Sequence, residues 1–259
     1  MTTTLEARTE VGSGPLSERF DEALTYASRH HRQQLRKGSR VPYMTHMMSV
    51  SALVLEHGGS EDQAIAALLH DAVEDAPAGQ GGAVLAEIRE RFGDAVAEMV
   101  AACSDGLNDS GERKGTWQER KQAYVDGLPH KALDALLVTA ADKTHNGLCI
   151  AADVRRYGPG FWSTFNASRD ELLWYYTSVE RTVAERLPDS SIAEALHRAV
   201  EELIAASALT EAGIPTRRRS RPNQNSPDGR SLATRRRYIH VKAGSSTSQP
   251  DASSRLEPW

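Results

Sequence analysis

The chain has 259 residues, of which 39% are hydrophobic and 25% are charged. Adding its 19 glycines brings the apolar share to about 46%, the ordinary value for a globular protein. No apolar stretch approaches the roughly 20 residues that a membrane-spanning helix needs, which excludes a transmembrane protein. The N-terminus has no apolar block followed by a cleavage site, and two cysteines cannot form a disulfide framework, so we expect a cytoplasmic protein.

The charge of the chain changes sign after Glu211. Residues 212–259 contain ten Lys or Arg against three acidic residues, a net charge of +7, whereas residues 1–211 contain 21 against 32, a net charge of −11. The second segment has few large aliphatic residues, so it cannot bury enough surface to offset the entropy of ordering. We therefore expect a disordered N-terminus at 1–15, one folded domain at 16–211 and a disordered basic tail at 212–259. The tail's arginine runs could attract nucleic acid, but a solvated tail is the simpler expectation.

Between Leu16 and Leu209 the apolar residues recur at spacings of three and four, and the alternation typical of strands hardly occurs. This pattern predicts an all-α domain. Glycine and proline residues interrupt this pattern between helices, and Ser60 followed by Gln63 indicates a capping box at the start of one helix. No glycine-rich phosphate loop and no Gly-x-Ser-x-Gly elbow is present. In chain order the predicted helices cover residues 16–35, 44–57, 61–75, 82–103, 117–127, 131–151, 160–187 and 189–208.

The third predicted helix changes character at its end. An apolar run at 64–69 is followed at once by His70, Asp71, Glu74 and Asp75. On one helix these four side chains would lie on adjoining parts of the surface. Neighbouring carboxylates repel one another, and an imidazole beside oxygen donors suits a divalent metal ion. An exposed acidic helix end with a capping histidine is the alternative interpretation.

Two other polar residues also lie in apolar helices. His46 stands among methionines at a predicted buried helix start, and alone it would be interpreted as a core histidine. Asp142 ends the apolar run that begins at Leu136, and alone it could simply pair with Lys143. A His, then a His-Asp pair, then an Asp, each on an apolar helix, is a more specific pattern than any of its parts.

Several ordered motifs accompany this pattern. HRQQLRK at 31–37 leads into Pro42, Tyr43 and His46; AALLHDAVEDA spans 66–76; IRERFGDAV spans 88–96; and ERK at 119–121 precedes AADKTHN at 140–146. Together they resemble the HD-domain metal-dependent phosphohydrolases, and among these the hydrolase domain of RelA/SpoT proteins and the small stand-alone alarmone hydrolases. The resemblance covers roughly residues 20–185 of the chain.

This resemblance implies an HD-domain helical bundle of about eight or more helices that acts on a guanosine nucleotide. The implied reaction removes pyrophosphate from the 3′ position of (p)ppGpp and gives GDP or GTP, without a membrane partner. The implied ligands of one metal ion, usually Mn²⁺ in this group, are His46, His70, Asp71 and Asp142. The implied proton-transfer residues are Glu74 and Asp75, and the implied substrate contacts are Arg36, Lys37 and Asn146.

The chain departs from the family pattern beside these residues. Ala76 stands where relatives usually have Thr, and Leu148 and Cys149 stand where they carry Arg or Lys followed by Thr or Asp. Two alternatives therefore stay open at the level of sequence. One is an HD nucleotide phosphatase that acts on NADPH or another phosphorylated nucleoside. The other is a non-catalytic regulator that senses a nucleotide and binds nucleic acid through the basic tail.

Overall fold

The computed structural model describes residues 16–104 and 115–211, and these residues form helices joined by short turns. The predicted all-α fold is confirmed. The predicted disordered segments at 1–15 and 212–259 lie outside the described residues. The α-helices are α1 Glu18–His30, α2 Met44–Glu56, α3 Glu61–Leu69, α4 Gly81–Phe92, α5 Asp94–Cys103, α6 Trp117–Gly127, α7 Leu133–Tyr157, α8 Arg169–Arg186 and α9 Ser191–Glu211, with 3₁₀ segments at Leu128–His130 and Pro159–Thr164.

Helix α3 forms the centre of the domain. All of its residues from Gln63 to Leu69 are buried, and it packs against α1, α2, α5 and α7. A helix that is apolar on every side is stable only where other elements surround it. The predicted capping box is present: the Ser60 hydroxyl accepts from the Gln63 backbone N–H at 3.3 Å, and Gln63 Oε1 accepts from the Ser60 N–H at 2.7 Å. These bonds fix where the helix begins.

The prediction of one continuous helix over 61–75 is wrong in its second half. Helix α3 ends at Leu69, and residues 70–75 follow it as a series of turns. The first turn is tightened by a bond from the Ala72 N–H to the Leu69 carbonyl at 3.0 Å. The polar side chains at 70–75 therefore project from a compact turn, which can direct them to one point more freely than a regular helix can.

Two other predicted helices are divided in the structure. Gly93, with φ of 92°, separates α4 from α5, because the left-handed conformation ends one helix and glycine adopts it without steric cost. The predicted helix at 160–187 consists of the 3₁₀ segment followed by α8, which begins with a capping box between Ser168 and Glu171. The pattern of apolar residues continues across both breaks, so periodicity alone did not reveal them.

Helix α7 is the longest helix of the described residues and contacts α2, α3, α5, α8 and α9. Gly147 lies where α7 meets α8 and α9: a Cβ there would be 3.5 Å from Tyr176 and 3.6 Å from the carbonyl oxygen of Ala199. Within residues 16–104 and 115–211, none of the helices combines the length and the apolarity that crossing a bilayer requires.

The loop between α1 and α2 is ordered by backbone hydrogen bonds. The Arg36 N–H donates to the Val41 carbonyl at 2.8 Å, and the Tyr43 N–H donates to the Gln34 carbonyl at 2.9 Å. Gly38, with φ of 69°, lets the tip of the loop approach the 3₁₀ segment at 159–164 closely. The loop therefore holds the residues at 34–37 against the body of the domain.

Candidate metal centre and active site

Three parts of the fold place the four predicted metal ligands in the protein interior. His46 is the third residue of α2, His70 and Asp71 begin the turns after α3, and Asp142 lies in the middle of α7. Each of the four is less than 9% exposed. Because α2, α3 and α7 pack against one another, the apolar contacts that build the core also bring these polar side chains together.

The donor atoms of the four residues converge. His46 Nε2 lies 3.2 Å from Asp142 Oδ1 and 3.7 Å from Asp71 Oδ2. His70 Nε2 lies 3.1 Å from Asp71 Oδ2 and 3.7 Å from Asp142 Oδ1. The donor atoms of His46, His70 and Asp142 all lie within 4.8 Å of one another. Nε2 of each imidazole therefore faces both carboxylates.

This arrangement fits a divalent cation. His70 Nε2 is buried and makes no hydrogen bond with a described residue, although two carboxylate oxygens lie within 4 Å of it. Two imidazole nitrogens and two carboxylate oxygens form a donor set of intermediate hardness. A cation among them would compensate the cost of burying two negative charges side by side.

The protonation equilibria agree with this interpretation. Burial lowers the pKa of His46 to about 3, despite the opposing effect of Asp142. Burial raises the pKa of Asp71 and Asp142, but His70 beside Asp71 and Lys143 beside Asp142 overcome it and hold both values below the usual range. Burial also lowers the pKa of His70, and the two carboxylates raise it well above its usual value. His46 is thus neutral, and the two carboxylates attract a positive charge between them.

Hydrogen bonds from surrounding residues orient the ligands. Asp71 Oδ2 accepts from the Tyr43 hydroxyl at 2.6 Å, and Asp142 Oδ1 accepts from Asn146 Nδ2 at 2.6 Å. The second oxygen of Asp142 lies 2.6 Å from Lys143 Nζ. The ion pair that was the simpler interpretation of Asp142 therefore exists, and it occupies only the oxygen that faces away from the histidines.

The imidazole rings are also held through their second nitrogens. His70 Nδ1 lies 2.8 Å from the Ala67 carbonyl oxygen. His46 Nδ1 lies 2.8 Å from Nδ1 of His145, whose own ring contacts the Cys149 sulfur. Sequence reasoning gave no role to His145 or to the Tyr43 hydroxyl. His145 lies three residues after Asp142 in the AADKTHN motif, and Tyr43 lies three residues before His46, and these positions were the sequence signals that could have suggested both roles.

The two predicted proton-transfer residues lie in the turns after α3, and both are half-buried. Asp75 Oδ2 accepts from Gln34 Nε2 at 2.7 Å, and Gln34 Oε1 lies 2.6 Å from Nδ1 of buried His31. Burial, followed by repulsion from Asp71, raises the pKa of Asp75 to about 7. A carboxyl group with that pKa exchanges protons readily near neutral pH.

The predicted substrate contacts lie in two places. Arg36 Nη2 donates to Asn146 Oδ1 at 2.9 Å, so these two are linked to each other and through Asn146 to Asp142. Lys37 lies instead against Phe165, with Nζ 5.1 Å from the ring centroid, and burial lowers its pKa to about 8. Its Nζ is buried and makes no hydrogen bond with a described residue. A phosphate group could supply the missing acceptor.

The residues that depart from the family pattern lie beside this site. Ala76 is buried after the turns, Leu148 is 45% exposed, and the Cys149 sulfur lies 3.6 Å from His145 Nε2. None of the three offers a charged group. The part of the pocket that follows Asn146 along α7 is therefore less polar than the motifs of the family suggest.

Comparison with known proteins agrees with the fold. A family model described as HD domain matches residues 23–172. The Xenopus tropicalis guanosine-3′,5′-bis(diphosphate) 3′-pyrophosphohydrolase MESH1 is 34% identical over 145 residues, which are 55% of this chain and 73% of that protein. The Escherichia coli bifunctional (p)ppGpp synthase/hydrolase SpoT is 28% identical over 135 residues, 50% of this chain and 18% of that protein. A solved structure of a metazoan SpoT ortholog, described as hydrolysing ppGpp, has a TM-score of 0.53 and 26% identity and covers 74% of this chain and 97% of its own.

Proposed function

The chain belongs to the HD-domain family, and on that premise we propose that it is a metal-dependent hydrolase that removes pyrophosphate from the 3′ position of (p)ppGpp. The products are GDP from ppGpp and GTP from pppGpp. The observation that carries this proposal is the convergence of His46, His70, Asp71 and Asp142 in the interior of the domain. The identity of the substrate is inferred from the relatives that share this domain.

We assign the metal to those four residues and propose Mn²⁺ as the ion. When bound, a divalent cation supplies Lewis acidity toward a phosphoryl oxygen and lowers the pKa of a nearby water molecule. The residues of the chain keep the ligands in place: Tyr43 holds Asp71, and Lys143 and Asn146 hold Asp142. Their hydrogen bonds are already formed, so little reorganisation accompanies binding.

The proton transfers of the reaction are assigned to Asp75 and Glu74. Gln34 fixes one oxygen of Asp75 and leaves the other for a water molecule or for the departing oxygen of the substrate. Glu74 lies one residue earlier in the same turns and serves as the second carboxylate. Two carboxyl groups allow one to accept a proton while the other donates one.

Binding of the nucleotide is assigned to Arg36, Lys37 and Asn146. The Arg36 guanidinium can bind a phosphate with two parallel hydrogen bonds or stack on a base, whereas Lys37 acts as a point charge. The bond between Arg36 and Asn146 links nucleotide binding to the metal ligand Asp142. We place the reaction in the cytoplasm, where the sequence predicts the protein to be.

A phosphatase that acts on NADPH or a similar nucleotide is the second candidate. The observation that favours it is the apolar character of Leu148 and Cys149, which removes polar contacts that the family motifs provide after Asn146. Such a pocket would select less strongly for one nucleotide. This candidate uses the same metal site and differs in the nucleotide that is bound and in the bond that is cleaved.

The decisive experiment compares substrates with the purified protein and Mn²⁺. Release of pyrophosphate from ppGpp and pppGpp is measured beside release of phosphate from NADPH and GTP. We expect ppGpp and pppGpp to react much faster. Equal rates for NADPH would favour the second candidate, and no reaction with any nucleotide would favour the non-catalytic regulator. His70→Ala should abolish hydrolysis and lower the metal content, whereas His197→Ala, at an exposed histidine of α9, should change neither.

A further inference from the structure

The two rings of the metal site are held in different ways. His70 Nδ1 faces the carbonyl oxygen of Ala67, which belongs to the preceding helix. A carbonyl oxygen can only accept a hydrogen bond, so His70 keeps a proton on Nδ1, and Nε2 is the nitrogen that can bind a cation. The backbone of α3 therefore determines the tautomer of His70, and no side-chain substitution removes that acceptor.

His46 has a side chain in the equivalent position. Its Nδ1 lies 2.8 Å from Nδ1 of His145, with the two ring centroids 4.9 Å apart. A neutral imidazole carries a proton on one nitrogen and a lone pair on the other, so one ring of this pair donates and the other accepts. Since His46 Nε2 faces Asp142 and Asp71, His46 can offer a lone pair there only if its proton is on Nδ1.

The neighbours of His145 permit the accepting role for that ring. If His145 Nδ1 accepts, its own proton is on Nε2, and Nε2 lies 3.6 Å from the Cys149 sulfur, a weak acceptor. Cys149 is one turn further along α7. In that role the contacts run from His46 through His145 to the sulfur.

We propose that His145 is a positioning residue that holds His46 in the tautomer required for metal binding. His145 Nδ1 accepts the proton of His46 Nδ1, which leaves the His46 Nε2 lone pair directed at the cation. This inference rests on the metal site of the proposed function and is independent of which nucleotide is hydrolysed. A partner of this kind typically changes metal affinity by about 10- to 100-fold.

The test uses two substitutions in the full-length protein. His145→Leu keeps a branched side chain of similar size and removes the acceptor. His145→Asn places an amide oxygen where Nδ1 was, because both atoms are bonded to Cγ. The affinity for Mn²⁺ is measured by calorimetry on metal-free protein. We expect His145→Leu to weaken binding by about 10- to 100-fold, and we expect His145→Asn to restore most of that affinity.

A purely structural role predicts the opposite order. Leucine is a better helix former than asparagine, so the Leu variant should be the more stable of the two in the middle of α7. Thermal unfolding of the metal-free variants establishes that order separately. His57→Leu is the matched control, since His57 also uses Nδ1, on the Ser191 hydroxyl, and lies outside the cluster. It should bind Mn²⁺ like the unsubstituted protein.

The tautomer itself can be observed. Nitrogen-15 spectra of the histidine rings with a diamagnetic divalent ion such as Zn²⁺ bound should show the His46 proton on Nδ1, and His145→Leu at the same ion concentration should leave a larger fraction of it on Nε2. Unchanged Mn²⁺ affinity in His145→Leu, an unchanged tautomer, or failure of the unsubstituted protein to bind Mn²⁺ would overturn the proposal. Normal Mn²⁺ binding without hydrolysis of ppGpp would instead contradict only the proposed function.

Discussion

The carboxyl group of Asp75 is oriented from outside its own turn. Gln34, in the loop after α1, donates to Asp75 Oδ2, and His31 contacts the other end of the same amide. Gln34→Leu removes both bonds while keeping a side chain of similar length. We expect kcat for ppGpp to fall by about 10-fold or more, because a misdirected carboxyl group transfers protons inefficiently. The measurement is steady-state kinetics of pyrophosphate release.

Two comparisons separate this effect from damage to the fold. Gln33→Leu changes the exposed neighbour and should leave kcat unaltered. The affinity of Gln34→Leu for Mn²⁺ should also stay the same, because Gln34 contacts none of the four metal ligands in the hydrogen bonds described. If Gln34→Leu loses metal binding together with activity, the bond to Asp75 is not the cause.

Lys37 should make kcat/KM for ppGpp depend on pH. Burial lowers its pKa to about 8, so its ammonium group is charged below that pH and becomes neutral above it. Attraction of a substrate phosphate requires the charge, and kcat/KM reports the ionisation of the free enzyme. We expect kcat/KM for ppGpp to decline as the pH rises through about 8, as measured in a series of buffers of constant ionic strength.

Arginine at this position tests the assignment. A guanidinium group stays protonated across the whole range, so Lys37→Arg should remove the decline above pH 8 even if its kcat/KM at neutral pH is lower. The same decline in Lys37→Arg as in the unsubstituted protein would mean that another group titrates.

The separate residues of the site were predictable from the sequence to different degrees. His46, His70, Asp71 and Asp142 stood out because polar residues in apolar helices follow the order of a known motif, and the structure brings all four together. The contact between His46 and His145 could not be predicted, because it depends on how closely α2 and α7 approach. Whether the four residues bind a metal ion stays a prediction until it is measured.

At the scale of elements, the ends of a helix were predictable where a glycine, a proline or a capping box marks them. The predicted helix at 117–127 coincides with α6, whose capping box between Thr116 and Glu119 fixes its start. Helix α7 runs to Tyr157, six residues beyond the predicted end, and stops at Gly158, where φ is 77°. The end of α3 at Leu69 was missed because no glycine or proline marks it.

Helix α7 also contains a glycine where it packs against α8 and α9. Glycine in a helix interior costs up to about 1 kcal/mol relative to alanine. A Cβ at Gly147 would meet Tyr176 and Ala199 at 3.5 to 3.7 Å, which is ordinary van der Waals contact. We therefore expect Gly147→Ala to raise the free energy of unfolding by about 0.5–1 kcal/mol, as measured by urea denaturation.

A larger side chain at this position should lower the free energy of unfolding instead of raising it. Gly147→Val adds two methyl groups beyond the Cβ of alanine, these would press against the backbone of α9, and overpacking of this kind costs about 1–3 kcal/mol. Destabilisation by Gly147→Ala itself would show that α7 and α9 lie closer together than the structure indicates.

At the scale of the whole molecule, the net negative charge of residues 1–211 repels the anionic substrate. Residues 1–211 carry a net charge of −11 at neutral pH, and (p)ppGpp is a polyanion. Long-range attraction therefore cannot bring the nucleotide to this domain. Binding must depend on local positive charge: Arg36, Lys37 and the metal ion. The basic segment at 212–259, with a net charge of +7, is the other source of positive charge in the chain.

Deletion of residues 212–259 tests which of these two sources of positive charge attracts the nucleotide. The buried residues of α9 that pack in the core, Leu203 and Ala206 among them, all precede residue 211, so the cut removes none of the described core. We expect the shortened protein to keep the unfolding temperature, the Mn²⁺ affinity and the kcat/KM of the full chain, when measured side by side. Any affinity of the full chain for RNA or DNA should disappear and, before deletion, should fall steeply with salt. If the shortened protein instead loses kcat/KM at low salt and regains it at high salt, the basic segment attracts the nucleotide, because screening weakens the repulsion from the acidic domain.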